Sequence, residues 1–148
     1  MSPHLAEKLP PRRTAPLATR DAELLRLGRK ERKLLEQLAG GKVFLVAATG
    51  TRIDVGGWLR QGRVCAACLA GELLLFAAGG QPYGEKAEYD SLGRSLYNHV
   101  TGELLLAPAR GIRVRRLYLP PVIAYEFLGQ IIGATTGKKS EEIPCSKG

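Results

Sequence analysis

Two cysteines with the spacing of a metal or redox pair stand in the segment Cys65-Ala-Ala-Cys68. A Cys-x-x-Cys pair binds zinc or cycles as a dithiol when it lies on a turn or at the start of a helix. Here the surrounding run RVCAACL predicts a strand, in which residues three apart point to opposite faces. The third cysteine, Cys145, stands alone near the end of the chain. We therefore expect free structural thiols, with no metal site and no cofactor.

The segment GATTGKKS, residues 133–140, is similar to a phosphate-binding loop. That loop needs four residues between its first glycine and the Gly-Lys pair, and it follows a strand. Here three residues separate Gly133 from Gly137, and the segment follows a predicted helix. We interpret it as part of a polar tail. The spacing Gly129-x-x-x-Gly133 is typical of a close helix contact, which we expect with the rim of the sheet.

His99 is the one histidine within residues 42–134. A histidine can serve as a general base, but no serine, cysteine or carboxylate around it in the sequence has the context of a nucleophile. A lone histidine in a hairpin usually has a structural role, with one ring nitrogen in a hydrogen bond. We therefore predict that the protein is not an enzyme.

Three arginines, Arg113, Arg115 and Arg116, are the candidate contact for an anion or a partner. In a strand, Arg113 and Arg115 share one face and Val114 points to the other. Two adjacent guanidinium groups can bind a phosphate or a carboxylate. The alternative is an edge strand whose charges only protect it against aggregation. Arg116 breaks the alternation, which indicates a bulge.

The pentapeptide GELLL occurs twice, at 71–75 and again at 102–106. This repeat indicates the strands and turns among which the candidate residues lie. The predicted strand RVCAACL precedes the first copy, and the predicted strand SLYNHV precedes the second. Each pair is joined by a short turn, which predicts two hairpins with turns Ala70–Gly71 and Thr101–Gly102. Three consecutive leucines do not alternate with polar residues, so both faces of each strand should meet apolar neighbours. We predict that both copies are buried central strands.

Further strands are predicted on either side of the hairpins, for a total of about seven. KVFLVAAT, beginning at Lys42, is a short apolar strand, and TRIDVGGWLRQG after it is an irregular strand or loop. EKAEYDSL indicates a polar strand near a sheet edge, and GIRVRRLYL indicates the last strand.

Helices are predicted at both ends of this β-rich region. Residues 21–39 have leucines near helical spacing and end at Gly40–Gly41. A second helix begins at Pro120 or Pro121. Its predicted apolar face comprises Val122, Tyr125, Phe127, Leu128, Ile131 and Ile132, with Phe127 or Leu128 among the deepest side chains. We expect a disordered basic arm over 1–20, a helix over 21–39, a domain over 42–134 and a flexible tail over 135–148.

Consecutive hairpins followed by one amphipathic helix predict a mainly β fold, in which an antiparallel sheet curls on itself and the helix covers its open end. Residues 63–132 also resemble the bacterial pleckstrin-homology-like (PH-like) and GRAM-like families. The resemblance is carried by RVCAACLAGELLLFAA, EKAEYDSL, LYNHVTGELLLAPA and YEFLGQII. It implies a PH-like barrel of about seven strands over residues 42–134, capped by the C-terminal helix and preceded by the N-terminal helix.

The chain departs from those family members that bind phosphoinositides. Such members carry clustered basic residues, with an Arg-x-Arg or Lys-x-Arg element, in the first hairpin loop. Here the corresponding region holds the scattered Arg52, Arg60 and Arg63, and no such element. The resemblance therefore implies the fold, and the lipid-binding role does not follow with it.

The net charge of +8 is concentrated at the N-terminal end, because residues 1–42 hold ten Lys/Arg against five Asp/Glu. Such a basic arm attracts phosphates, or it serves only to keep a small protein in solution. No stretch approaches the ~20 apolar residues of a membrane span, and the N-terminus lacks the apolar region of a signal peptide. We therefore expect a cytoplasmic protein, with attachment to the membrane periphery left open.

The function predicted from these features is a non-catalytic PH-like binding or scaffold module that docks a protein partner or another copy of itself. The alternative is peripheral binding to the phosphates of anionic lipid or nucleic acid. That binding would use the basic arm together with Arg113, Arg115 and Arg116.

Overall fold

Seven antiparallel strands in two sheets, followed by a helix, make up most of the part of the chain that this computed structural model describes, namely residues 23–56, 61–108 and 111–133. The predicted arm over 1–20 and the predicted tail over 135–148 lie outside these ranges. The strands are β1 (Val43–Asp54), β2 (Gln61–Leu69), β3 (Glu72–Ala77), β4 (Tyr83–Glu88), β5 (Leu96–Asn98), β6 (Glu103–Leu105) and β7 (Arg116–Tyr118). Helix α1 (Arg29–Ala39) precedes them and helix α2 (121–133) follows them.

The first sheet has the order β1-β2-β3-β4, so each of its strands pairs with its sequence neighbour. The predicted hairpin with the turn Ala70–Gly71 is confirmed, and Gly71 adopts a φ of +88°, which a residue with a side chain rarely does. β4 is an edge strand, as the polar sequence EKAEYDSL indicates. β1 does not end at Gly50 as predicted: after a register shift between Ala48 and Arg52 it continues to Asp54 and pairs with β2, so the start of TRIDVGGWLRQG is an irregular strand, one of its two predicted forms.

The second sheet has the order β5-β6-β7. Its hairpin is built differently from the prediction, because residues 99–102 form a four-residue turn in which Gly102 has a φ of +80°. The Asn98 side chain accepts hydrogen bonds from the backbone of Val100 at 2.9 Å and of Thr101 at 3.3 Å, and these bonds stabilise the longer turn. The last strand is also shorter than predicted, since only Arg116–Tyr118 pairs with β6.

The prediction of a closed barrel is wrong, because the described strands form two separate sheets. After β4 the chain makes a 3-10 turn, Tyr89–Leu92, before β5 begins, so β4 and β5 do not pair. At the other side, β1 meets β7 through a side chain. The Thr51 hydroxyl donates to the Arg116 carbonyl at 2.8 Å and accepts from the Tyr118 N–H at 3.2 Å. The coarser prediction, a mainly β fold with a helix after the strands, is confirmed.

Two apolar clusters explain the repeated leucines. In the first copy of GELLL, Leu73 and Leu75 face the main core between the sheets and α2, whereas Leu74 packs beneath α1. All three leucines are buried, so the prediction for this copy is confirmed. In the second copy β6 is the central strand, but it has only one covered face. Leu104 and Leu106 are buried there and Leu105 is half-buried.

Helix α1 begins later than the sequence predicts. The helical pattern over 21–39 is interrupted at Leu27 and Gly28, and a single turn at 23–26 precedes the helix. Gly28 is the N-cap, with extended backbone, and its N–H donates to the Glu31 carboxylate at 2.7 Å. This interruption lets Leu27 turn into the cluster beneath α1.

Helix α2 begins near Pro121 as predicted and covers the open side between the sheets. Its buried stripe is Ala124, Phe127 and Ile131, each with no exposed surface. Phe127 is thus among the deepest side chains, as predicted. The predicted face is correct for Phe127, Leu128 and Ile131, which lie in the main core or pack against it, and wrong for Val122, Tyr125 and Ile132, which are 68%, 54% and 40% exposed. The gap between the two sheets accommodates the side of α2 that carries Ala124, Phe127 and Ile131, with Ile123 and Leu128 packed at its margins, and the three exposed residues lie outside it.

Candidate functional site

The two cysteines of the Cys-x-x-Cys segment lie on opposite faces of β2, as the strand prediction requires. Cys65 is buried beneath α1 and Cys68 is buried in the main core. Burial raises the pKa of Cys68 to about 12. Burial also raises the pKa of Cys65, and the neighbouring Glu31 carboxylate raises it further. Both thiols are therefore protonated at neutral pH, and neither is a ready nucleophile or metal ligand.

A charged clamp fixes the start of α1 to β2. Arg63 donates from Nε to one Glu31 oxygen at 3.0 Å and from Nη2 to the other at 2.9 Å, and it also reaches the Arg26 carbonyl at 2.8 Å. Burial disfavours the charged form of Glu31, but the hydrogen bonds from Arg63 and Gly28 outweigh this and lower its pKa. Both Glu31 oxygens accept hydrogen bonds from within the protein, so the clamp has a structural role.

Two of the three candidate arginines have carboxylate partners on different strands. Arg113 lies 3.6 Å from a Glu85 oxygen, and its guanidinium stacks 5.1 Å from the centre of the Tyr83 ring. Arg116 lies 3.9 Å from a Glu103 oxygen. An incoming phosphate would have to compete with these carboxylates.

The third candidate, Arg115, has an exposed side chain, and its carbonyl accepts a hydrogen bond from the Leu106 N–H at 2.7 Å. Ile112 and Val114 are buried on either side of the exposed Arg113, so the expected alternation of faces is present although this segment forms no ladder. His99 is exposed at the tip of the β5–β6 turn.

No group of three or more His, Cys, Asp or Glu side chains that could hold a metal ion occurs among residues 23–56, 61–108 and 111–133. In the same ranges no helix is long and apolar enough to cross a membrane.

The outer face of α2 is the most distinctive surface of the described chain. We call it the docking face; it consists of Val122, Tyr125, Gly129, Ile132 and Gly133. The last four lie three, seven, ten and eleven residues after Val122, which places all five on one side of the helix. The apolar members are exposed, and a Cβ built on either glycine would meet no atom of the described residues within 4 Å. The predicted contact of the two glycines with the sheet is therefore wrong.

The Tyr125 ring on this face is held in place by a second tyrosine. Tyr97, on β5, contacts it edge-on, with ring centres 5.4 Å apart and planes at 72°. The Tyr97 hydroxyl donates to the Leu119 carbonyl at 2.7 Å, which fixes its own ring. Tyr125 is therefore an exposed aromatic side chain with a defined orientation, and a partner would lose little rotamer freedom by contacting it.

Glu126 borders the docking face and has an unsatisfied buried oxygen. Its Oε1 has no hydrogen-bond partner among the described residues. Burial raises its pKa, and the nearby Glu23 carboxylate raises it further. A buried acceptor without a donor is costly, and this cost disfavours the charged carboxylate.

Unpaired positive charge collects on α1. The described ion pairs use Arg26, Arg63, Lys86, Arg113 and Arg116. Four exposed cations of α1 take part in none of these pairs: Arg29, Lys30, Arg32 and Lys33. The sequence predicted phosphate binding by the basic arm together with Arg113, Arg115 and Arg116, whereas the helical spacing of these four cations could have identified them.

Sequence patterns alone missed the docking face, although one signal for it was present. The glycines at 129 and 133 are poor residues for a helix interior packed against a sheet, whereas they suit a helix surface that another backbone approaches. Comparison of the chain with protein-family models, with curated proteins and with solved structures gave no match. The resemblance to the PH-like and GRAM-like families stays a prediction.

Proposed function

We propose that the protein is a non-catalytic, PH-like docking module that binds a protein partner through the outer face of α2. Four antiparallel strands, three more and a C-terminal helix are the elements that such a module requires, and this order supports the proposal. In this proposal a surface carries the function, and the buried thiols of β2 take no part in it.

One observation carries the proposal: α2 directs Val122, Tyr125 and Ile132 outward although the same helix buries Ala124, Phe127 and Ile131. Helices of small domains usually show one apolar face, and a second apolar face indicates a partner. Removing these three side chains from water would supply free energy in proportion to the area buried. Aromatic anchors such as Tyr125 frequently carry a large share of binding energy.

The glycines define the kind of partner. With no side chain at Gly129 or Gly133, a partner backbone can approach α2 closely, as in other helix pairs with small residues four apart. We therefore propose that the partner presents a helix. The partner is a second protein or another copy of this chain.

The test places a photo-reactive amino acid at position 125 of the full chain, expressed in its native cell. Position 100 is the matched control, because Val100 is 83% exposed and lies in the β5–β6 turn, away from α2. We expect a discrete cross-linked species from position 125 and none from position 100. Its mass distinguishes a dimer of this chain from a complex with another protein. Equal, diffuse cross-linking from both positions would contradict the proposal.

The alternative function, binding to phosphates of anionic lipid or nucleic acid, is favoured by the unpaired cations on α1. Contacts of this kind release counterions, so the affinity falls steeply as salt rises. Replacing Lys30 and Lys33 by Gln should flatten the salt dependence. Replacing Arg113 and Arg116, which already have carboxylate partners, should change it less. A salt-independent affinity for both nucleic acid and anionic vesicles would exclude this alternative.

A further inference from the structure

A cleft of about 450 Å³ lies between α1, the turn after it and the first half of β1. Its floor is apolar: Leu35 and Val46 are 4% and 1% exposed and belong to the cluster beneath α1. Leu24, Ala39 and Val43 complete the apolar lining. The volume falls in the range of about 300–1,000 Å³ that is typical of small-molecule sites.

The rim of this cleft carries three charged side chains, Arg32, Glu36 and Lys42. Neither Arg32 nor Lys42 forms an ion pair among the described residues, and both are exposed. The Lys42 ammonium also lies 5.2 Å from the centre of the Phe44 ring, a cation–π contact. The two cations exceed the one acid, so the rim favours an anion over a cation.

We propose that this cleft binds a single-chain anionic amphiphile. Its acyl chain fills the apolar cleft, and its carboxylate or phosphate contacts Arg32 and Lys42. An apolar floor with a few convergent polar groups at one end is the arrangement that positions such a ligand. The cleft is independent of the docking face on α2, so the two proposals can fail separately.

Two sources can supply this chemistry, a free amphiphile or a lipid in a membrane. The first arm of the experiment titrates the full chain with saturated fatty acids of 8 to 14 carbons, as monomers, and measures affinity by calorimetry. Each added methylene should strengthen binding about three- to fourfold until the cleft is filled, after which the affinity levels off. The second arm measures binding to phosphatidylcholine vesicles that carry lysophosphatidylglycerol, an anionic lipid with one acyl chain.

Charge variants test the rim. Arg32→Gln and Lys42→Gln should each weaken the binding of dodecanoate about two- to fivefold, the effect of losing one exposed ion pair. Glu36→Gln should strengthen it, because it removes a like charge from the entrance. Dodecanol, which has the same chain and no charge, should bind the wild type more weakly and should not respond to Arg32→Gln or Lys42→Gln.

A substitution that fills the cleft with a larger side chain tests whether the cleft is the binding site. Ala39→Phe should abolish fatty-acid binding while the melting curve shows a folded protein. If that variant does not fold, Gly41→Phe replaces it, because Gly41 also lines the cleft and a Cβ there would meet no atom of the described residues within 4 Å. Loss of monomer binding supports a free ligand, and loss of vesicle binding supports a lipid taken from a membrane. The proposal is overturned if neither probe binds, or if a folded, filled variant binds both as well as the wild type.

Discussion

Arg63 on β2 binds both carboxylate oxygens of Glu31 on α1, at 3.0 and 2.9 Å, and joins the helix to the sheet at its first turn. The Glu31 side chain is 13% exposed and that of Arg63 is 38% exposed. We predict that Glu31→Gln destabilises the protein by about 1–2 kcal/mol, the range of a charged hydrogen bond that is partly exposed. The matched control is Glu36→Gln, an exposed residue of the same helix, which should leave the urea midpoint unchanged.

The Glu31–Arg63 pair makes the stability of the protein depend on pH in a defined direction. Folding lowers the pKa of Glu31 below its ordinary value of 4.5, so its contribution to stability is complete above that value. The contribution is lost as the pH falls through the lower, folded-state pKa. The difference in urea midpoint between wild type and Glu31→Gln should therefore be constant from pH 8 to 6 and shrink in acid. A difference that grew in acid would contradict the clamp.

The buried thiols should be unreactive in the native protein. Because burial raises the pKa of Cys68 to about 12 and raises that of Cys65 as well, little thiolate forms at pH 8. In the variant Cys145→Ser, a chromogenic disulfide reagent should find no reactive thiol before denaturation and both thiols after it. Rapid native labelling of Cys65 or Cys68 would show that β2 is accessible.

The two GELLL copies should respond differently to the same substitution. Leu74 is 1% exposed between β3 and α1, so Leu74→Asp should cost at least about 4 kcal/mol and prevent folding. Leu105 is half-buried on the outer side of β6, so Leu105→Asp should cost about 1–2 kcal/mol. Thermal unfolding separates the two results. An equal loss would mean that the second sheet is covered on both faces.

Substitutions of two neighbouring aromatic residues of α2 should affect stability and binding separately. Phe127 has no exposed surface, and Phe127→Ala should destabilise the protein by about 3–5 kcal/mol. Tyr125→Ala removes a ring that is 54% exposed and should cost about 1 kcal/mol or less. It should nevertheless abolish the cross-linked species formed from a photo-reactive residue at 122. If that cross-linked species still formed, Tyr125 would not contribute to docking.

Local patterns predicted the strands well where turns and leucine runs defined them. The turn Ala70–Gly71 and the burial of Leu73, Leu74 and Leu75 depend on nearby residues and were correct. Closure of the sheet was predicted wrongly, because it depends on contacts between distant segments. Thr51 joins β1 to β7 across 65 residues through its side chain, and no local pattern indicates such a contact.

The candidate site was predicted less well than the fold. The sequence identifies α2 as amphipathic, but helical spacing alone does not determine which apolar stripe faces the core. Val122, Tyr125 and Ile132 fit a helical face as well as Ala124, Phe127 and Ile131 do. The small residue Ala124 made the buried stripe the less obvious one. The arginines of 113–116 were recognised by charge, but Glu85 and Glu103 reach them only in the folded chain.

The central claim, that α2 docks a partner along its two glycines, is tested most directly by Gly129→Leu. Leucine favours a helix by about 0.5–1 kcal/mol over glycine, and a Cβ at this position meets open space, so the melting temperature should hold or rise. Gly93→Leu, also at an open glycine, is the matched control. With the photo-reactive residue at 125, we predict that Gly129→Leu abolishes the cross-linked species and that Gly93→Leu leaves it intact. A folded Gly129→Leu protein that forms the species at the wild-type yield would contradict the proposed docking face.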